Sequence, residues 1–335
     1  MTRSPWFFRL SLLATVLALG VVVLGAYVRL SDAGLGCPDW PGCYGRIGVP
    51  ETPAAVADAN AAYPDRPVEA AKGWKEMIHR YFAGALGLLV FALAVTAWRR
   101  RHVPGQPVVV PVLLVAVIIF QAVLGMWTVT WKLKPFIVMA HLLGGLTTLS
   151  LLAWQTLRAC REGGGAGLSR RWQAILLGAL LLVVGQVALG GWTSANYAAL
   201  ACNEFPACTL GEVWPAEADF VRGFELWHGI GPDYEYGTHL AREAKVAIHL
   251  AHRAGAVVVL VVLLAVAAGL IRHGRTVGRL GMVLAAAVVV QFLLGVGNVW
   301  FSLPLAVAVA HNAGAAILLL LLVGLNHVAQ PKRQS

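Results

Sequence analysis

Glu76-Met77-Ile78-His79-Arg80 opens an apolar run, and His249-Leu250-Ala251-His252-Arg253 opens another much like it. Each places a His-Arg pair about one turn inside a segment that reads as a membrane helix. Ionisable side chains at that depth are costly in hydrocarbon, so they mark a functional site by default. A second histidine follows each: His141 after His79, and His311 after His252.

The chain around these stretches is that of a polytopic membrane protein. Of 335 residues, 59% are hydrophobic and only 13% charged, a balance that a soluble globule does not show. The net charge of +10 does not mark a nucleic-acid surface, because the charges are segregated by loop. Every acid except Glu162 lies between Arg29 and Arg80 or between Cys202 and Arg253. The basic clusters fall in the other connections: Arg99-Arg100-Arg101, Arg158/Arg161/Arg170/Arg171, Arg272/Arg275/Arg279 and Lys332-Arg333. That is the positive-inside pattern. It predicts cytoplasmic termini and two long acidic outer loops, about 29–75 and 194–245. The first apolar run is followed by Val28-Arg29-Leu30-Ser31, with no small-residue cleavage site, and reads as a retained helix.

Eight apolar runs are predicted at roughly 8–28, 77–98, 108–130, 136–157, 172–193, 246–270, 280–301 and 305–326. Each is about 20 residues, enough to cross about 30 Å of hydrocarbon at about 1.5 Å per residue. Helices satisfy their own backbone there. The predicted fold class is therefore all-α, with eight transmembrane helices in two pseudo-symmetric four-helix bundles, residues 1–165 and 166–335.

The duplication is visible in the residues. A shift of 165 lays Leu35-Gly36-Cys37-Pro38-Asp39-Trp40-Pro41-Gly42-Cys43 on Leu200-Ala201-Cys202-Asn203-Glu204-Phe205-Pro206-Ala207-Cys208. A shift of 170 lays Gln121-x-x-Leu124-Gly125 on Gln291-x-x-Leu294-Gly295, and His141 on His311. A shift of 173 lays His79-Arg80 on His252-Arg253, and Glu76 on His249. The same order and orientation in both halves implies an axis along the membrane normal.

All four histidines fall at similar depth in the outer half of the bilayer. Two imidazoles on facing helices can supply both axial ligands to a heme iron. A single membrane histidine can equally well hydrogen-bond a neighbouring helix; four at repeat-equivalent positions favour ligation. Small residues follow them, Ala83-Gly84, Gly87, Gly144-Gly145, Gly255 and Gly314, and would admit a flat macrocycle or another helix. Arg80 and Arg253 could pair with heme propionates or snorkel to the interface. Glu76 shares a helix face with His79 and could carry protons there, or simply favour the helix start. Its exchange for His249 predicts a reactive site in the first half and an electron-transfer heme in the second.

Cys37/Cys43 and Cys202/Cys208 each stand six apart on the outer side. An oxidising compartment favours disulfides, and zinc ligands usually stand closer in sequence. A staple in each loop is the expectation, with a redox role as the alternative. Cys160 sits at a cytoplasmic helix end. His102, His228, His239, His273 and His327 read as solvated. Trp127, Trp131, Trp192, Trp214 and Trp300 read as an outer aromatic belt.

Together these residues resemble the heme A synthase family over nearly the whole chain. The resemblance rests on Glu76-x-x-His79-Arg80, His141, His252-Arg253 and His311, with Gly25-x-x-Val28-Arg29-Leu30-Ser31 and Cys37-Pro38-Asp39-Trp40-Pro41-x-Cys43. It implies heme b between His252 and His311, and heme O as substrate between His79 and His141. It implies that Glu76 is needed for catalysis and that Cys37 and Cys43 matter for activity. The implied reaction oxidises the C8 methyl of heme O to a formyl group by two hydroxylations, the second giving a gem-diol that loses water. It places the protein in a cell inner membrane, with its cysteine loops periplasmic. Heme O synthase and cytochrome oxidase assembly proteins are the implied partners besides membrane lipid, with no nucleic acid; homo-oligomerisation stays open. The segment 212–243 departs from shorter members and has no assigned chemistry. The rival readings are a di-heme electron-transfer cytochrome, a heme transporter, and an assembly factor whose histidines only pack helices.

Overall fold

The computed structural model describes residues 5–160, 166–209, 211–230 and 234–331. Arg161, Glu162, Lys332 and Arg333 lie outside them, as does the first-half side of the 165/166 boundary.

Among the described residues, eight helices are long and apolar enough to cross a membrane: α1 (Pro5–Leu30), α3 (Ala70–Arg99), α4 (Val109–Thr130), α5 (Pro135–Ala159), α6 (Arg170–Ala195), α8 (Arg242–Ile271), α9 (Gly274–Trp300) and α10 (Leu305–Ala329). Two shorter helices, α2 (Pro53–Ala62) and α7 (Phe220–Gly223), belong to the long loops. The chain is a multi-pass membrane protein. Starts are set by local chemistry. Thr52 caps α2 ahead of Pro53, Ser169 caps α6 by accepting the Trp172 amide, and Pro135 takes the first position of α5.

Several helices begin before their apolar runs. α3 starts at Ala70 and α8 at Arg242, so their first two turns carry Lys72, Lys75, Glu243 and Lys245. Hydropathy detects only the part of a helix immersed in hydrocarbon, and these turns project beyond it. For the same reason Arg170, Arg171, Arg275 and Arg279 lie in the first two turns of α6 and α9 rather than in connections.

α1, α3, α4 and α5 pack in a closed ring, each against the next, and α6, α8, α9 and α10 do the same. The rings meet through α1–α10, α5–α6 and α5–α10. Exchanging the halves maps this set of contacts onto itself. Leu93, Leu114, Leu149 and Leu152 of the first ring, and Leu176, Leu263, Leu284 and Leu322 of the second, are fully buried in one continuous core. Burying a leucine contributes about 1.5–3 kcal/mol in water. In lipid that drive is absent, and close packing and interhelical hydrogen bonds take its place. Such bonds include Thr15 Oγ1 with Thr156 Oγ1 at 2.9 Å, and Asn326 Nδ2 donating to the Leu176 carbonyl at 3.0 Å.

Disulfides join Cys37 to Cys43 and Cys202 to Cys208, as the staple expectation required. The matching acids do matching work. Asp39 accepts the amides of Tyr44 and Gly45, and Glu204 accepts the amide of Gly211. Both loops also share a cis proline, at Trp40-Pro41 and Phe205-Pro206.

The segment 212–243 crosses to the other half. The Tyr234 amide donates to the Lys132 carbonyl at 3.2 Å, and Arg66 pairs with Glu235 at 2.6 Å. Lys134, at the start of α5, is buried with Nζ 3.2 Å from the centre of the Trp227 ring. The second loop thus straps the mouth of the first bundle. Expectations for five residues change here. Trp192 is no belt residue: it is buried, and its indole donates to the Gly223 carbonyl at 2.8 Å. His228 and His239 are half-buried and packed together, with ring centres 5.1 Å apart, rather than solvated. His273 and His327 stack edgewise on Trp172 and Trp154.

Candidate active site

The helix starts bring the expected residues to one end of each bundle. His79 and Arg80 come from α3, His141 from α5, His252 and Arg253 from α8, and His311 from α10. All four histidines are half-buried. Each ring rests on a glycine of a neighbouring helix. A Cβ built on Gly25 would lie 2.9 Å from His79 Cε1, and on Gly125 3.4 Å from His141 Cε1. In the second half, Gly190 and Gly295 stand in the same relation to His252 and His311, each at 3.1 Å. These four glycines were not singled out as seats for the rings, although they recur at the repeat shifts of 165 and 170. A side chain on Gly25, Gly190 or Gly295 would press on the imidazole, and one on Gly125 would touch it.

The Nδ1 edges are closed as well. Nδ1 of His79 and of His141 is buried without a partner. Nδ1 of His252 lies 3.0 Å from Gln186 Nε2, and Nδ1 of His311 lies 3.3 Å from Gln291 Nε2. With Cε1 and Nδ1 covered, the open edge of each half-buried ring is the one that carries Nε2.

The rings of His252 and His311 are 6.5 Å apart between centres and nearly perpendicular, at 85°. Two imidazoles on opposite sides of one iron stand about 6 Å apart, counting about 2 Å for each metal–nitrogen bond and about 1 Å from nitrogen to ring centre. Among the described residues, no three His, Cys, Asp or Glu side chains converge to hold a bare metal ion. Two histidines suffice for a metal that brings its own equatorial ligands, as heme iron does. The pair therefore fits an axially ligated heme.

The flanking charges have other partners. Glu76 is buried and forms an ion pair with Arg80 one turn later. Its Oε2 also accepts the Cys37 amide at 3.0 Å. Arg80 Nη1 donates to the carbonyls of Asp39 at 3.0 Å and Pro41 at 3.2 Å, and also to that of Gly42. The second half repeats the clamp. Arg253 donates to the carbonyls of Ala207, Cys202 and Glu204 at 2.8, 3.0 and 2.8 Å. His249, buried, accepts the Cys202 amide at Nδ1, 3.2 Å, and faces Arg253 Nε through Nε2 at 3.3 Å. Both arginines therefore engage their disulfide loops directly. Charge-assisted bonds of this kind contribute roughly 1.5–3 kcal/mol each.

This is a polytopic helical membrane protein with repeat-related histidine pairs under disulfide-stapled loops. The chain belongs to the cytochrome oxidase assembly protein family, whose model matches residues 8–323. It is 42% identical to the heme A synthase of Shewanella oneidensis, over 99% of this chain and 98% of that one. It is 27% identical to the heme A synthase of Rhizorhabdus wittichii and 29% identical to that of Caulobacter sp. (strain K31), each over 94% of this chain and 92% of the relative.

Proposed function

We propose that the protein is a heme A synthase, which oxidises the C8 methyl of heme O to a formyl group by successive hydroxylations. Its near end-to-end likeness to enzymes of that name supports the activity. The 6.5 Å ring separation of His252 and His311 is the observation that carries the site assignment.

The first half, residues 1–165, takes substrate heme O between His79 and His141. The second half, residues 166–335, holds heme b between His252 and His311. A heme b held by His252 and His311 would supply electrons one at a time. Glu76 stands one turn from His79 and is the one acid on α3. Arg80 holds it toward the Cys37 amide, so the first disulfide loop and the carboxylate form one unit. Arg80 and Arg253 act chiefly as loop clamps, and any propionate contact is additional to that work.

The basic ends of the helices face the cytoplasm of a bacterial inner membrane, with the disulfides in the periplasm. Charge segregation and the two disulfides both support that orientation. The product serves cytochrome oxidase assembly, and heme O synthase is the natural donor of substrate.

Single alanine variants of the four histidines test the division of labour. His252→Ala or His311→Ala removes the low-spin heme b spectrum. His79→Ala or His141→Ala retains that spectrum and loses conversion. Loss of the low-spin spectrum from His79→Ala, with His252→Ala spectrally intact, would reverse the assignment.

A further inference from the structure

The two histidine pairs share their glycine seats and differ in what meets Nδ1. In the second half, Gln186 of α6 donates through Nε2 to the His252 carbonyl at 2.9 Å, and the same nitrogen lies beside His252 Nδ1. Gln291 of α9 does the same for His311, again at 2.9 Å to the carbonyl. Both amides fit because a glycine stands three residues past each histidine. A Cβ on Gly255 would meet Gln186 Oε1 at 2.2 Å, and on Gly314 would meet Gln291 Oε1 at 2.3 Å.

The first half lacks this contact. Under the repeat shifts Val21 takes the place of Gln186, and Phe82 that of Gly255. Gln121 matches Gln291 and packs against Gly144 in the same way, with its amide turned over: Nε2 rather than Oε1 faces the glycine. Of the four rings, His79 alone has no glutamine at the repeat-equivalent place.

We propose that Gln186 and Gln291 are positioning residues that fix the rings and the protonation of His252 and His311, and that the bare Nδ1 edge of His79 leaves the first pair free to exchange its heme. The inference rests on the heme reading above. When Nε2 binds iron, the ring proton resides on Nδ1 and needs an acceptor. Oε1 of Gln186 and Oε1 of Gln291 are both buried and have no partner. Each belongs to the amide already beside Nδ1, so a turn of that amide supplies the acceptor in exchange for its bond to the histidine carbonyl. An accepted Nδ1 proton makes the imidazole a stronger donor, favours ferric iron and slows loss of the heme. A resident relay heme needs that hold, whereas a substrate heme must leave as product.

The test uses the full-length protein in detergent, with its low-spin heme titrated redox-optically and heme loss followed by capture in apomyoglobin. Gln291→Leu should raise the midpoint potential and speed heme b loss about tenfold. Gln291→Glu, a stronger acceptor, should lower the potential. Opposite shifts from two substitutions at one site do not arise from general loosening. The same pair at Gln186 should behave alike. Heme O should leave the wild-type protein at least about ten times faster than heme b. A wild-type low-spin heme with potentials unmoved in all four variants would overturn this inference alone, and equal loss rates would overturn its second clause. Wild-type protein without any low-spin heme would overturn the functional reading, and this inference with it.

Discussion

Glu76 and His249 occupy the same place in the two halves and take the same two donors. Glu76 accepts the Cys37 amide and pairs with Arg80; His249 accepts the Cys202 amide and faces Arg253. A carboxylate has acceptors for both donors, while a neutral imidazole has one lone pair and must keep its proton on the other nitrogen. The structural demand is thus common to both loops, and only the first-half residue can also carry a proton in and out as a carboxyl group.

Replacing Glu76 separates these two duties. Glu76→Ala should lower conversion of heme O by at least about 100-fold, the usual range for a lost proton carrier, while low-spin heme b remains. Glu76→Gln keeps an acceptor for the Cys37 amide and should lose conversion to a similar degree. Extracted heme and the reduced-minus-oxidised spectrum check both. Normal conversion by Glu76→Gln would assign Glu76 to loop support alone.

Arg80→Ala leaves a buried carboxylate unpaired and three loop carbonyls short of a donor. Removing one partner of such a pair costs about 3–5 kcal/mol. The loop should loosen, and the Cys37–Cys43 disulfide should become faster to reduce and alkylate. Mass spectrometry after timed reduction reads this directly. Reduction at the wild-type rate would show that Arg80 does not hold the loop.

His249→Glu should stabilise the second loop, because it supplies the second acceptor that imidazole lacks. The expected gain is about 1 kcal/mol, seen as a higher midpoint in thermal unfolding. A lower midpoint would mean that the shape of the imidazole matters more than its acceptor count.

Acidification should release the strap over the first bundle. Burial, with His228 and Lys245 adding to it, lowers the pKa of His239 from 6.5 to about 4. A depressed histidine stabilises the fold while neutral, so its contribution is full above pH 6.5 and is lost as pH falls toward 4. His239 also bonds Asn196 at 3.1 Å, and its ring packs on Tyr234. Hydrogen exchange across 234–241 should rise over that pH window, and His239→Leu should abolish the pH dependence. Exchange that stays flat from pH 7 to 4 in the wild type would contradict it.

Much of this was legible in the residues because it depends on length and periodicity. Eight spans follow from apolar runs, and the histidine pairs follow from depth together with repetition. The cysteine loops followed from six-residue spacing in both halves. What escaped needs neighbours distant in sequence. Arg80 reads as a propionate partner until the loop carbonyls that surround it are seen. Gly25, Gly125, Gly190 and Gly295 are ordinary small residues in a helix until a ring is found resting on each. The path of 212–243 toward Lys132, Lys134 and Arg66 has no local signal, since polar loop residues carry no periodicity.

The pigment bound by the purified protein, expressed together with a source of heme O, tests the central claim most directly. Heme B accompanied by heme A or a hydroxylated heme O is the expected result, with the converted heme lost in Glu76→Ala. Heme B alone, at two per chain and unchanged by added heme O, would contradict the synthase reading and leave a di-heme electron-transfer protein in its place.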